Sequence, residues 1–419
     1  MLKGATYTAG SAAIGRLVTL IAGVVAARAL GAAGFGALSL CQSTAAVATA
    51  IAGMGLPWVA TRTIAANRVS DPTRTYRLWR LLILLCVGGV AVVFIVALSA
   101  AGPLTRLIFG DGADPTLFAA CIALFVGYTI NNFGQAVLMG TEQFAVVARW
   151  AIIRALVPAI GLLVGVWAGG PVNAVMGYAF GEYIVLVPLL RRCRLLLRAP
   201  GAATGPRATT PPAGVGGAWQ LALAAWGSTL LLHPAFWCAQ ILLIRVSGGY
   251  AALGVFALAQ RAVQAVVMLP GSISVSSVPI LTGCWVSERR DDFARAARTY
   301  AAGYLAYVVP VAVIAGVTAP LTLRFFGPEY ASAWPVFAVL MIATVPMVLN
   351  NLLSTMAMAS SRSTLWLLSD LSQAVALVCA ATLMIPHLGG VGASLSYLTA
   401  SVVTCLALVP VTRGLKARP

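Results

Sequence analysis

Charge is what this sequence has least of. Only 9% of its 419 residues are charged, and 10 acidic residues face 27 basic ones. A soluble domain carries about a quarter charged residues. That scarcity excludes an ordinary soluble enzyme, a disordered chain and a conventional nucleic-acid-binding protein, despite a net charge of +17. Cysteine patterning is missing too. The eight cysteines, from Cys41 to Cys405, show no CxxC and no Cys/His spacing, so neither a metal site nor a disulfide framework is supported. They read as small apolar filler. There is no P-loop, no Ser/His/Asp arrangement and no cluster of cytosolic carboxylates. ATP hydrolysis and glycosyl transfer therefore lack visible machinery, and no catalytic residue, cofactor or metal is expected.

What is present is apolar: 60% of the residues are hydrophobic. A bilayer core about 30 Å thick needs about 20 helical residues to cross it. Runs of that size fall near 7–29, 36–60, 79–101, 115–138, 145–168 and 172–190, then near 218–244, 251–283, 297–318, 334–358, 364–385 and 389–411. The expectation is an all-α polytopic membrane protein with twelve spans. The eighth run is long enough to hold a kink at Pro270 or an extended cytosolic end. The N-terminal run has no convincing cleavage site and reads as a retained first helix.

The basic residues test the count. With the N-terminus inside, the inward segments hold Lys3; Arg62, Arg68, Arg74, Arg77, Arg80; Arg149; Arg191, Arg192, Arg194, Arg198, Arg207; Arg289, Arg290, Arg295, Arg298; Arg362; and Arg413, Lys416, Arg418. The outward segments hold only Arg28, Arg106, Arg245 and Arg324. This is the positive-inside asymmetry, and it predicts both termini in the cytosol; the expected location is the inner (plasma) membrane.

Residues 201–217 are Pro/Gly-rich and polar, a linker between an N-terminal lobe (1–200) and a C-terminal lobe (218–419). The lobes carry a faint duplication. Gly36 aligns with Gly254 (254 − 36 = 218), within Phe35–Gln42 and Leu253–Gln260; Asn131-Asn132 align with Asn350-Asn351 (350 − 131 = 219). An even number of spans per repeat predicts two parallel six-helix lobes around a central cavity, an arrangement used by transporters.

Arg28-Ala29-Leu30-Gly31-Ala32-Ala33-Gly34-Phe35-Gly36, then Gly53-Met54-Gly55-Leu56, Thr61-Arg62 and Met139-Gly140-Thr141-Glu142-Gln143-Phe144, carry a resemblance. In these turns the chain resembles the polysaccharide (O-antigen/exopolysaccharide-type) flippases of the multidrug/oligosaccharidyl-lipid/polysaccharide exporter superfamily. The resemblance implies a V-shaped pair of lobes and alternating access that moves a polyprenyl-diphosphate-linked oligosaccharide between leaflets. It also implies lipid-linked oligosaccharide and membrane lipids as partners, with glycosyltransferases and a polysaccharide polymerase nearby and no nucleic acid.

Ionisable groups deep in spans are costly and are functional candidates by default. Arg16, Arg154 and Arg261 lie at mid-depth, with Glu182 and Asp370 as candidate H⁺ or Na⁺ sites. The Arg16 face carries small or polar Ala12, Thr19, Gly23 and Ala27, opposite Ile14, Leu17, Val18, Ile21 and Val25, which suit lipid. Arg154 shares a stripe with Ala151, Pro158, Gly161 and Gly165. Two readings stand. The arginines pair with the acids to hold spans together, or, three against two, they line a wet cationic cavity whose guanidinium forks bind a diphosphate. The surplus favours the cavity. Gln42, Gln260, Asn131 and Asn132 either line that cavity or bond across helices. His233, beside Pro234, reads as a packed or kink residue, and the tryptophans near span ends as interfacial anchors. A multidrug exporter would prefer an acidic cavity with aromatic walls, a lipid II flippase usually has further spans, and a non-transporting scaffold would need neither buried arginines nor a repeat.

Overall fold

The computed structural model describes residues 2–68, 71–111, 114–198, 215–246, 248–287, 289–360 and 363–413. These residues are helical, in the order α1 (Leu2–Gly53), α2 (Leu56–Asn67), α3 (Pro72–Ser99), α4 (Ala101–Phe109), α5 (Pro115–Gly140), α6 (Phe144–Trp167), α7 (Gly170–Arg198), α8 (Val215–Val246), α9 (Gly249–Val286), α10 (Arg290–Thr322), a 3₁₀ turn Leu323–Phe326, α11 (Pro328–Ala331), α12 (Trp334–Ala359) and α13 (Ser363–Arg413). Of the linker expected at 201–217, residues 201–214 lie outside the described residues, and α8 already begins at Val215. Arg207, Arg362, Lys416 and Arg418 also lie outside them.

Ten of the described helices are long and apolar enough to cross a membrane. Two of them, spanning Ala13–Gly53 and Thr364–Val409, have 41 and 46 such residues. At about 1.5 Å per residue each is about twice as long as the bilayer core is thick. Each is broken by one glycine in a conformation that side-chain-bearing residues avoid: Gly31 (φ 68°) in α1 and Gly389 (φ 56°) in α13. Counting each as two passes recovers the twelve. α9 continues past Pro270 to Val286 as one 38-residue helix, so the eighth run carries an extended end.

Turn chemistry sets the boundaries. Asp71 and Asp114 accept from the backbone N–H of Arg74 and Thr116, each ahead of a proline in the first turn. The hydrogen bonds to Thr116 hold the Asp114 carboxyl below the usual carboxylate range. Glu142, in the α5–α6 turn, adopts φ 53°. There it pairs with Arg68, which also donates to the Thr141 carbonyl. The duplication is visible in these bounds. α5 and α12 are both 26 residues long, and they start and end 219 positions apart (334 − 115; 359 − 140). Gly31 (φ 68°) recurs as Gly249 (φ 63°), and Gly170 (φ 80°) as Gly389 (φ 56°).

The helices form two compact units: residues 1–22 with 41–233, and 23–40 with 234–419. This grouping departs from chain order at two places. Residues 23–40 belong with the second unit through specific contacts. Ala32 N–H donates to Glu329 at 2.9 Å, the buried Tyr330 hydroxyl donates to the Ala27 carbonyl at 3.2 Å, and the α1 backbone crosses α9 where Gly36 meets Tyr250 and Gly254 meets Ala32. The start of α8 belongs with the first unit, where Trp226 donates to the Ala50 carbonyl at 2.8 Å.

The first unit packs α2, α3, α5 and α7 around Leu56, Ile64, Trp79, Phe133, Leu138 and Leu189. α6 lies against α7 through glycines: a Cβ on Gly161 would overlap the Gly177 carbonyl, and one on Gly177 the Gly161 carbonyl. The second unit packs α9, α10, α12 and α13, with Phe293, Leu340 and Leu377 fully buried.

Candidate functional site

The polar centre of the first unit is assembled from α5, α6 and α7. Glu182 on α7 is buried, with 1% of its surface exposed. Its carboxylate accepts from Asn131 Nδ2 at 2.6 Å, and its backbone carbonyl accepts from the same nitrogen at 2.7 Å. Gly127 makes room for it: a Cβ there would lie 3.1 Å from that of Glu182. Arg154 on α6 places Nε 4.0 Å from Glu182 Oε2, donates to Asn132 Oδ1 and rests its guanidinium 5.4 Å from the centre of the Tyr128 ring. Here the structure follows the pairing reading, so Arg154 is not a surplus cation. A charge buried in a span is tolerable when paired and hydrogen-bonded, which α6 and α7 provide by crossing at glycines.

The second unit repeats this arrangement without the charge. Asn350, the counterpart of Asn131, donates to the Ser401 carbonyl at 2.9 Å, and Ser401 occupies the place of Glu182 (401 − 182 = 219). Both asparagines leave Oδ1 buried without a partner among the described residues. The two halves thus share one backbone device, and at this position only the first carries a carboxylate.

Beside the ion pair, the first unit contains a cavity of about 290 Å³. Its polar and aromatic lining comes from α1 (Thr49), α2 (Trp58), α5 (Tyr128, Asn132) and α8 (Trp226, His233). No acidic or basic residue other than His233 is among its lining residues. The Thr49 and Thr129 hydroxyls bond each other at 2.8 Å. His233 Nδ1 lies 3.1 Å from the Thr229 carbonyl, an i−4 contact that fixes the ring. His233 is exposed and lines this space, so of the packed and kink readings the packed one does not hold.

The other expected residues are divided between the two units. Arg16 is exposed and forms no ion pair among the described residues; its neighbour Gly15 packs on Ala155 of α6. Ile14, Leu17, Ile21 and Val25 are exposed, as a lipid-facing stripe requires. Arg261 is half-buried, with its stem against Gly23, and it has a partner of its own, as do half-buried Gln42 and buried Asp370. Gln260 hydrogen-bonds the side chain of Tyr397, a contact between α9 and α13, and the Tyr397 ring packs 4.8 Å from Phe236. Arg289, Asp292 and Arg295 form an exposed charged group, with pair distances of 3.9 and 3.3 Å. The described cysteines are all free, and no cluster of metal-ligating side chains occurs among the described residues. Sequence reasoning missed Trp226 and Trp58. For Trp226 the signal was a tryptophan about two turns inside its expected span; Trp58 lay at the end of its own and gave none.

Residues 1–285 match the family model described as "Polysaccharide biosynthesis protein". No curated protein matches the sequence. Similar solved structures include an inward-facing multidrug resistance MATE family transporter of the MOP superfamily, 17% identical, with 96% of this chain and 95% of that one covered and a TM-score of 0.75. A MOP superfamily transporter from Pyrococcus furiosus is 16% identical, with coverages of 99% and 97% and a TM-score of 0.71. A Vibrio cholerae MATE transporter is 15% identical, with coverages of 99% and 97% and a TM-score of 0.69. At such identities the likeness is one of fold.

Proposed function

Since the chain belongs to the polysaccharide biosynthesis protein family and has the fold of a membrane transporter, we propose that it is a flippase. Its cargo is an anionic polyprenyl-diphosphate-linked oligosaccharide, carried from the inner to the outer leaflet of the plasma membrane by alternating access, with both termini cytosolic. The observation that carries this reading is a first-unit cavity into which Thr49, Tyr128, Asn132 and His233 bring polar groups, beside a buried ion pair. Lipid-facing helices have no use for such a space; a carrier of a polar head group does.

Export needs no nucleotide on this account. Moving the diphosphate outward moves negative charge toward the positive side, worth about 2.3 kcal/mol per charge per 100 mV when the whole field is crossed. Glu182, paired and buried, and Asp370 are the groups proposed to bind a coupling H⁺ or Na⁺. The multidrug reading is disfavoured because no carboxylate lines the cavity, whereas an organic cation calls for one. In the Pyrococcus furiosus relative, too, a reversed polarity of the binding pocket suggests a different function.

Disrupting the gene tests this reading in the cell. Surface polysaccharide should be lost while lipid-linked oligosaccharide accumulates in the membrane. Intact surface polysaccharide with new sensitivity to organic cations would overturn it in favour of the multidrug reading.

A further inference from the structure

The first-unit cavity has chemistry that a diphosphate does not need. Resting on the proposed flippase reading, we infer that this cavity is a subsite for one neutral sugar ring of the cargo, stacked on Trp226, and that the diphosphate binds elsewhere. Three observations support the assignment.

The first is charge. The guanidinium of Arg154, which touches the lining residues Asn132 and Tyr128, is already engaged by Glu182, Asn132 and the Tyr128 face. Among the described lining residues an anion would meet no free cation, and an organic cation no carboxylate. A neutral ligand meets neither cost.

The second is the inventory of hydrogen-bonding groups. Asn132 gives its oxygen to Arg154, so its two amide N–H groups are the part left to donate. When His233 donates through Nδ1 to the Thr229 carbonyl, its Nε2 is an acceptor. The Tyr128 hydroxyl can do either. Spaced donors and acceptors without net charge match ring hydroxyls, each of which both donates and accepts.

The third is the aromatic surface. Trp226 spends its indole N–H on the Ala50 carbonyl at 2.8 Å, which locks the ring and leaves its face as the contact surface. A locked aromatic plane offers large contact area at little entropic cost, and it suits the C–H face of a pyranose. The volume, about 290 Å³, is at the lower end of small-ligand pockets and suits one ring rather than a chain.

The test uses the full chain in lipid nanodiscs, with saturation-transfer NMR on a panel of neutral methyl glycosides and on the cation tetraphenylphosphonium. ³¹P titration with inorganic pyrophosphate runs alongside. At least one glycoside should receive saturation on its ring C–H protons. That signal should fall about fivefold or more in Trp226→Leu, persist in Trp226→Phe and weaken in Tyr128→Phe. Pyrophosphate should bind equally to the wild type and Trp226→Leu. No transfer to any glycoside, transfer indifferent to Trp226→Leu, or selective displacement of the sugar by pyrophosphate or tetraphenylphosphonium would each overturn the subsite. Lipid-linked oligosaccharide translocation by the same wild-type protein reconstituted in liposomes separates the two claims. Translocation without sugar transfer removes the subsite and leaves the flippase reading; no translocation removes the flippase reading itself.

Discussion

Arg154 and Glu182 show how one buried pair decides the character of its surroundings. Removing one partner leaves the other charged and stranded in a span, so Arg154→Ala should cost on the order of 3 kcal/mol of stability. The double variant Arg154→Met/Glu182→Gln, which removes both charges, should lie closer to the wild type than either single change. Thermal unfolding in detergent checks this, and a double variant less stable than both singles would contradict the pairing. The sequence showed both residues to be at mid-depth, but not that they meet. Their contact depends on the α6–α7 crossing angle, which no local pattern encodes. The same limit hid the cavity. His233 read as a packed or kink residue, and Trp226 was missed, because the sequence does not say which face of α8 turns toward Ala50 and Asn132.

Among the elements, small residues mark where helices touch. Gly161 and Gly177 meet backbone to backbone, whereas nothing lies within 4 Å of a Cβ built on Gly303. Gly161→Leu should therefore lower the yield of folded protein several-fold through overpacking, while Gly303→Ala in α10 should be near neutral. Size-exclusion profiles of the expressed variants compare them; equal profiles would sink the crossing. The Gly161 and Gly165 stripe was readable in advance because tight helix packing requires small side chains at that spacing. The duplication was readable for the same kind of reason: Asn131 and Asn350 recur because each must satisfy a carbonyl on a neighbouring helix. Less accessible was the exchange of residues 23–40 into the second unit, since hydropathy gives the position of a span but not the neighbours it packs against.

For the whole molecule, the span count and the repeat followed from hydropathy and offset, while cargo and energy source do not follow from the fold. The proposed mechanism places the driving force in the field acting on the diphosphate. Collapsing the membrane potential in proteoliposomes while holding ion gradients should slow outward movement, whereas a rate set only by a proton or sodium gradient would not change.

The most direct test of the central claim is reconstituted translocation of a polyprenyl-diphosphate-linked oligosaccharide, read by the accessibility of its sugar to an enzyme added on one side. The account predicts protein-dependent transfer well above that in empty liposomes. It also predicts that transfer falls severely in Glu182→Gln and when the sugar is removed from the lipid. A rate equal to that of empty liposomes would contradict it.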